Sequence, residues 1–163
     1  MRTTPDPEFL AAMAAARDEL SGRETLAAMA EGRLPHPRGY HRIGLRLAAV
    51  RTGDVELAWT PTPEVRNVMG GVDGGYTAMV FDQACCTAAV SAGRRCDPMV
   101  TLSLSVDYLL PPSVGATYAV RAELLHAGRR RMVTVAEVRD PEGAVLARAT
   151  ASVVPDESFH AAG

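Results

Sequence analysis

Residues 67–92 read NVMGGVDGGYTAMVFDQACCTAAVSA, a glycine-rich turn running into one long apolar segment. From Gly74 to Gly93 the only formally charged residue is Asp82, so the segment has none of the polar face that a surface helix shows. A helix apolar all round is expected to be buried. Small residues (Ala84, Cys85, Cys86, Thr87, Ala88, Ala89) crowd its second half, so a sheet, or a second copy of the helix, can approach its backbone closely.

Asp82 is the anomaly in this helix. An ionised carboxylate in apolar surroundings costs several kcal/mol unless it is paired, which makes it a functional candidate. The plainer alternative is a carboxylate satisfied by a buried arginine or by backbone donors. Gly70, Gly71, Gly74 and Gly75 supply a second signal at the helix start. They let the backbone turn sharply, and the first-turn N–H groups lack intrahelical partners at the positive end of the helix dipole, a setting suited to an oxyanion or a phosphate.

Gly75 and Asp82 are seven residues apart, about two turns. They share a face but lie roughly 10 Å apart along the axis, too far to touch one reacting carbonyl. If both serve one reaction, the simplest geometry brings Asp82 of one chain to the helix start of another across a two-fold axis. The expectation is an obligate homodimer with shared sites, with a dimer of dimers as the next level of assembly.

Composition sets outer limits. At 163 residues and 47% hydrophobic, the chain suits one domain with a real core. A net charge of −2 gives no footprint for nucleic acid or an anionic membrane surface, and no apolar run is long enough to span a bilayer. Asp6 and Glu8 precede the apolar run Phe9 to Ala16 where a signal peptide would carry positive charge, so a cytoplasmic location is expected. Three cysteines, two of them adjacent, make neither a disulfide framework nor a metal-ligand spacing, and they read as reduced core residues. A nucleophilic cysteine would need a histidine beside it, and His36, His41, His126 and His160 sit in no such motif. All 17 basic residues are arginine, which excludes Schiff-base and pyridoxal chemistry on a lysine. No cofactor and no metal are expected.

Along the chain, residues 6–20 predict a helix opened by Asp6-Pro7-Glu8 and stopped by Ser21-Gly22, and a second short helix follows at 23–31. Pro35-His36-Pro37 reads as a linker, which makes residues 1–38 a peripheral helical extension rather than core. Ile43, Leu45, Leu47 and then Val55, Leu57, Trp59 flank a turn at Thr52-Gly53-Asp54, a hairpin pattern. After the central helix, Val100, Leu102, Leu104, Val106 and Tyr108 alternate with Thr101, Ser103, Ser105 and Asp107 as a strand. Further strands follow at Tyr118 to Leu124, at 131–139 and at 144–154, the last two joined by the turn Asp140-Pro141-Glu142-Gly143. Strands with a single helix between the second and third imply an α+β fold, an antiparallel sheet packed on one side by that helix. Residues 39–154 form the expected main domain and 155–163 a frayed tail.

With these residues placed, the chain resembles the hotdog fold, an antiparallel sheet wrapped around one long central helix. Its spacing is similar to that of the PaaI-like acyl-CoA thioesterases, whose pattern is an Asn, six residues on a His-Gly-Gly, and nine residues after the His an acid. Here those places hold Asn67, Asp73-Gly74-Gly75 and Asp82. Over roughly residues 40–154 the resemblance also takes in Thr101, the Tyr-Leu-Leu-Pro end of the same strand and the final Ala-rich strand. It implies hydrolysis of an acyl-CoA, with Asp82 as general base or nucleophile, the Gly74 N–H polarising the thioester carbonyl, Asn67 orienting water or holding the carbonyl oxygen, and Thr101 placing the water near Asp82. It also implies that Asn67 and the glycines come from one subunit and the acid from its partner.

Each residue has a plainer alternative: a turn role for Asn67, helix entry for Gly74 and Gly75, an ordinary strand position for Thr101. The departure is Asp73, where the family has His. An Asp before two glycines and a helix is a good N-cap, and as an anion it would sit beside the place where the thioester oxygen becomes negative. It therefore either lowers hydrolysis or retunes the site for another acyl ligand. Arg129-Arg130-Arg131 and Arg94-Arg95 suit coenzyme A phosphates, though such runs are more often solvated turns. Arg129 and Arg130, with Asp73 and Gly75, complete the substrate-contact candidates. A second reading is a non-catalytic module that holds an acyl thioester or another small apolar ligand. A third, a hydratase, ranks last because no His falls in the stretch.

Overall fold

The computed structural model describes residues 7–17 and 19–156. Three short helices come first: α1 (Pro7–Arg17), α2 (Gly22–Ala30) and α3 (Arg38–Ile43). Strands β1 (Leu45–Arg51) and β2 (Asp54–Trp59) precede a single 3-10 turn at Pro63–Val65 and the central helix α4 (Gly74–Ser91). Strands β3 (Met99–Tyr108), β4 (Tyr118–Ala127), β5 (Met132–Arg139) and β6 (Val145–Pro155) complete the chain. They form one six-stranded antiparallel sheet in the order β1-β2-β4-β5-β6-β3, the α+β arrangement expected. β1 and β3 are its edges.

Helix α4 lies across the sheet and touches every strand. Thr77, Val80, Phe81, Ala84, Cys85 and Ala88 recur at three- and four-residue spacing, all buried, and form the stripe that packs on it. Opposite them the alternate residues Ala147, Ala149, Ala151 and Val153 of β6 are buried too, so a row of alanines lets the helix approach the sheet closely. Trp59 is fully buried and satisfies its one polar atom by donating from Nε1 to the Ile43 carbonyl at 3.0 Å.

The N-terminal region departs from the reading of a peripheral extension. Ser21 does not merely stop α1. Its hydroxyl accepts from the Glu24 amide while Glu24 returns a bond to the Ser21 amide, a capping box that starts α2. Leu26 and Met29 are buried in the core shared with α4 and β1, and Ala28 between them is buried too. Gly22 makes this seat possible: its amide donates to the Gly93 carbonyl at 3.2 Å, and a Cβ there would lie 2.0 Å from the Val90 carbonyl oxygen. The expected linker likewise leads into α3, which ends at Gly44 in the left-handed region (φ 73) before turning into β1. Asp6 and most of the expected C-terminal tail lie outside the described residues.

Candidate active site

Asp82 is half-buried on α4. The Thr101 hydroxyl of β3 donates to its Oδ1 at 2.5 Å, and the Gln83 amide lies 3.5 Å from Oδ2. Among the described residues no arginine pairs with it. The plainer alternative of a carboxylate neutralised by a buried guanidinium is therefore not what the helix holds.

Thr101 reaches Asp82 because β3 is not regular. Its pairing with β6 shifts between Thr101 and Ser103, a β-bulge, so Thr101 pairs with Val153 and Ser103 with Ser152. In a strict alternation Thr101 and Tyr108, seven residues apart, would point to opposite faces. Both point to α4: Thr101 bonds Asp82, and the Tyr108 hydroxyl donates to the Gly74 carbonyl at 2.8 Å. Val100 and Leu102, which the alternation groups with Tyr108, are exposed instead.

At the start of α4, Asp73 is the N-cap, with extended backbone (φ −68, ψ 134) and Oδ1 accepting from the Gly75 amide at 2.8 Å. Its carbonyl takes the Tyr76 and Thr77 amides. Of the first-turn donors, the Gly74 N–H alone finds no acceptor among the described residues. The glycine corner thus presents one open amide, with the Asp73 carboxylate beside it and the Tyr108 ring over it, about 3.5 Å from where a Gly74 Cβ would stand. Sequence reasoning did not assign Tyr108 a role; its signal was the Tyr-Leu-Leu-Pro end of β3.

Asn67 organises the loop before this corner. Its Oδ1 accepts from the Met69 and Gly71 amides at 2.9 and 3.1 Å, and its Nδ2 donates to the Val72 carbonyl at 3.3 Å. The second Nδ2 hydrogen is the side-chain group left for another partner. Asn67, Gly74 and Gly75 come together at one end of α4, and Asp82 with Thr101 lies two turns along. The structure does not bring the two groups together within one chain.

On the side of Asp82 facing the N-terminal helices, a cavity of about 750 Å³ opens between α1, α2, α3 and α4. Asp82, Gln83, Cys86, Thr87 and Val90 form its α4 wall. His36 also lines it. Its Nε2 accepts the Leu47 amide at 3.0 Å, which requires a neutral imidazole, and burial first, then His41 and Arg46, lower its pKa. Tyr40 in the same wall is pushed up to about 12, chiefly by burial. Cys85 and Cys96 are pushed up to about 11, chiefly by burial, and Cys86 is raised for the same reason, so none is primed as a nucleophile. Among the described residues no cluster of three or more His, Cys, Asp or Glu could hold a metal, and no helix is long and apolar enough to cross a membrane. Arg129 and Arg130 are exposed in the β4–β5 turn.

A curled antiparallel sheet around one central helix, with an acid on the helix and a glycine corner at its start, defines a hotdog-fold protein. Residues 69–147, just under half of the chain, match the model of the thioesterase superfamily, so over that stretch the chain is similar to thioester hydrolases. The structure of the Escherichia coli PaaI protein from the phenylacetic acid degradation operon is similar, with a TM-score of 0.71 at 19% identity, covering 83% of this chain and 96% of that one. A phenylacetic acid degradation-related protein of Ralstonia eutropha JMP134 gives 0.70 at 26% identity, covering 78% and 97%. A Streptococcus mutans UA159 protein bound to acetyl CoA gives 0.64 at 24% identity, covering 69% and 88%. No curated protein sequence matches the chain significantly.

Proposed function

We propose that the protein hydrolyses an acyl-CoA to the free acid and coenzyme A, in sites shared between two chains. The observation that carries this reading is the pair formed by a carboxylate and an open amide: Asp82, held by Thr101 in the wall of an apolar cavity, and the unpartnered Gly74 N–H at a helix start. In the reaction Asp82 either takes a proton from water as it attacks the thioester carbonyl or attacks it directly. The carbonyl oxygen becomes negative and is held by the Gly74 N–H of the other chain. The C–S bond then breaks: in the water route the leaving thiolate takes the proton that Asp82 removed, and in the direct route the thiolate is protonated from solvent and a water molecule hydrolyses the acyl–Asp82 anhydride, freeing the acid and restoring the carboxylate. Thr101 keeps Asp82 in its working orientation, while Asn67 and Gly75 shape the corner.

Two features support the shared site. Asp82 is about 10 Å along the axis from the corner of its own helix. Around that corner Val68, Met69, Tyr108, Leu109 and Leu110 are exposed, an apolar patch of the kind a second copy covers. The binding of coenzyme A phosphates by Arg129 and Arg130 is supported by register. Thr101 pairs with Val153 and Val153 with Met132, so Met132 lies about 10 Å from Thr101 at ~4.8 Å per strand, and Arg129 and Arg130 stand three and two residues before it in the turn.

A second reading, a hotdog module that binds the thioester without turning it over, is favoured by the Asp73 cap, whose carboxylate lies beside the open amide. Thiol release over acyl-CoAs of graded chain length, run beside Asp82→Asn, separates the two. Release that vanishes with the substitution supports the hydrolase, and tight binding without release supports the module.

A further inference from the structure

The cavity beside Asp82 has a roof that the hydrolytic site does not require. Phe9, Leu10 and Met13 of α1 line it from one side, and Leu26 and Met29 of α2 from another. On α1 the residues at four-residue spacing, Phe9 and Met13, are half-buried, while Leu10 is 43% exposed. The apolar face of α1 therefore spans the space rather than closing it. Below, the α4 wall runs from Asp82 through Cys86 to Val90, eight residues or about 12 Å of helix, and leads away from the glycine corner. At about 750 Å³ the chamber falls within the range of small-molecule sites, roughly 300–1,000 Å³.

We propose that this chamber takes the acyl group of the substrate, and that α1, through Met13 and Leu10, sets which acyl groups are accepted. This rests on the thioesterase reading, since Asp82 fixes one end of the chamber as the place of the carbonyl. The acyl group runs from there beneath α1, and the length of the α4 wall suits medium-chain aliphatic or aryl groups rather than acetyl. The walls offer such a group apolar surface and no cation for a carboxylate tail. Arginine is absent among the described residues that line the chamber, so a dicarboxylic acyl group has no partner there. Burying the apolar faces of α1 and the acyl group against each other removes both from water, which gives α1 its seat.

The test compares Met13→Trp and Met13→Ala with the unaltered full chain on decanoyl-CoA, phenylacetyl-CoA and acetyl-CoA. The ratio of kcat/KM for decanoyl over acetyl is expected to fall at least about tenfold in Met13→Trp and to rise in Met13→Ala. Leu10→Trp, at a partly exposed position, should lower the same ratio less and guards against a Met13→Trp chain that fails to fold. Ratios unchanged in all variants, with hydrolysis intact, would overturn the chamber's role and leave the thioesterase reading standing. Calorimetric titration with 1-decanol, a neutral probe, reads the chamber without turnover. If no acyl-CoA is hydrolysed yet decanol binds and Met13→Trp weakens it, the hydrolase reading falls and the chamber stands; if decanol fails to bind, the chamber proposal is lost.

Discussion

The Thr101 hydroxyl and Asp82 Oδ1 lie 2.5 Å apart, joining β3 to α4 over 19 residues of chain. A donor at this distance fixes the carboxylate's rotamer and leaves its other oxygen for the reaction. Asp82→Asn keeps an oxygen able to accept from Thr101 but removes the base, so the fold should persist while kcat falls at least about 100-fold. Thr101→Val should cost about tenfold, and Thr101→Ser, which keeps the hydroxyl, much less. Thiol-release kinetics check this, and undiminished turnover in Asp82→Asn would remove Asp82 from the reaction.

Asp73 holds the helix start and opposes the charge that hydrolysis develops there. These effects separate by substitution. Asn is as good an N-cap as Asp, so Asp73→Asn should leave the melting temperature nearly unchanged and raise kcat by removing the anion. Asp73→Ala should cost about 1 kcal/mol of stability through the lost bond to the Gly75 amide. Asp73→His tests the residue that the resemblance puts at this place. If neither Asn nor His raises turnover, Asp73 does not restrain hydrolysis.

The fold was legible because its signals are local. Period-two alternation marked β1, β2, β3, β4 and β6, the Asp140-Pro141-Glu142-Gly143 turn set off β5 from β6, and a helix with one charge between two strand groups marked α4. The bulge in β3 was not legible: nothing in Val100 to Tyr108 breaks the alternation, and the shift is set by pairing with β6. That shift decides which face Thr101 occupies, so the reading from alternation put Thr101 opposite Tyr108, whereas its proximity to Asp82 came from the family resemblance. The seat of α2 was hidden for a similar reason. Ser21 and Glu24 spell a capping box, but only the contact of Gly22 with Val90 and Gly93 shows that the helix belongs to the core. Asn67 and Asp73 were legible as turn and cap residues, because both bond backbone groups within five residues of themselves.

His36 makes stability pH-dependent. In the folded chain its pKa lies below the usual 6.5, mainly through burial, and its Nε2 must stay unprotonated to accept the Leu47 amide. The unfolded chain takes up the proton near pH 6.5 and the folded chain only at lower pH. The contribution is therefore fully present above that value and is lost as pH falls below it. Thermal melts from pH 7.5 to 5 should show a steeper fall for the unaltered chain than for His36→Gln, which keeps an acceptor without the titration. Parallel curves would clear His36 of this role.

The cysteines should be inert. Cys85 is fully buried and its thiol is pushed up to about 11, so at pH 7.5 almost no thiolate is available. Intact-mass measurement after iodoacetamide treatment of the native protein should find Cys85 unmodified, with labelling appearing on denaturation. Rapid native labelling of Cys85 would mean that α4 leaves the sheet readily.

The shared site can be tested by restoring it from two broken chains. Proline is tolerated at the first position of a helix and lacks only the N–H, and the residue before it must be extended, as Asp73 already is. Gly74→Pro should therefore delete the open amide, lower kcat about 100-fold and keep the melting temperature. Asp82→Asn is inactive for a different reason. If each site takes Asp82 from one chain and Gly74 from the other, a mixed dimer holds one site with both defects and one with neither. Co-expression of the two variants should then recover about a quarter of native activity, since random pairing makes half the dimers mixed and each has one intact site. Sites complete within one chain would leave every mixture inactive.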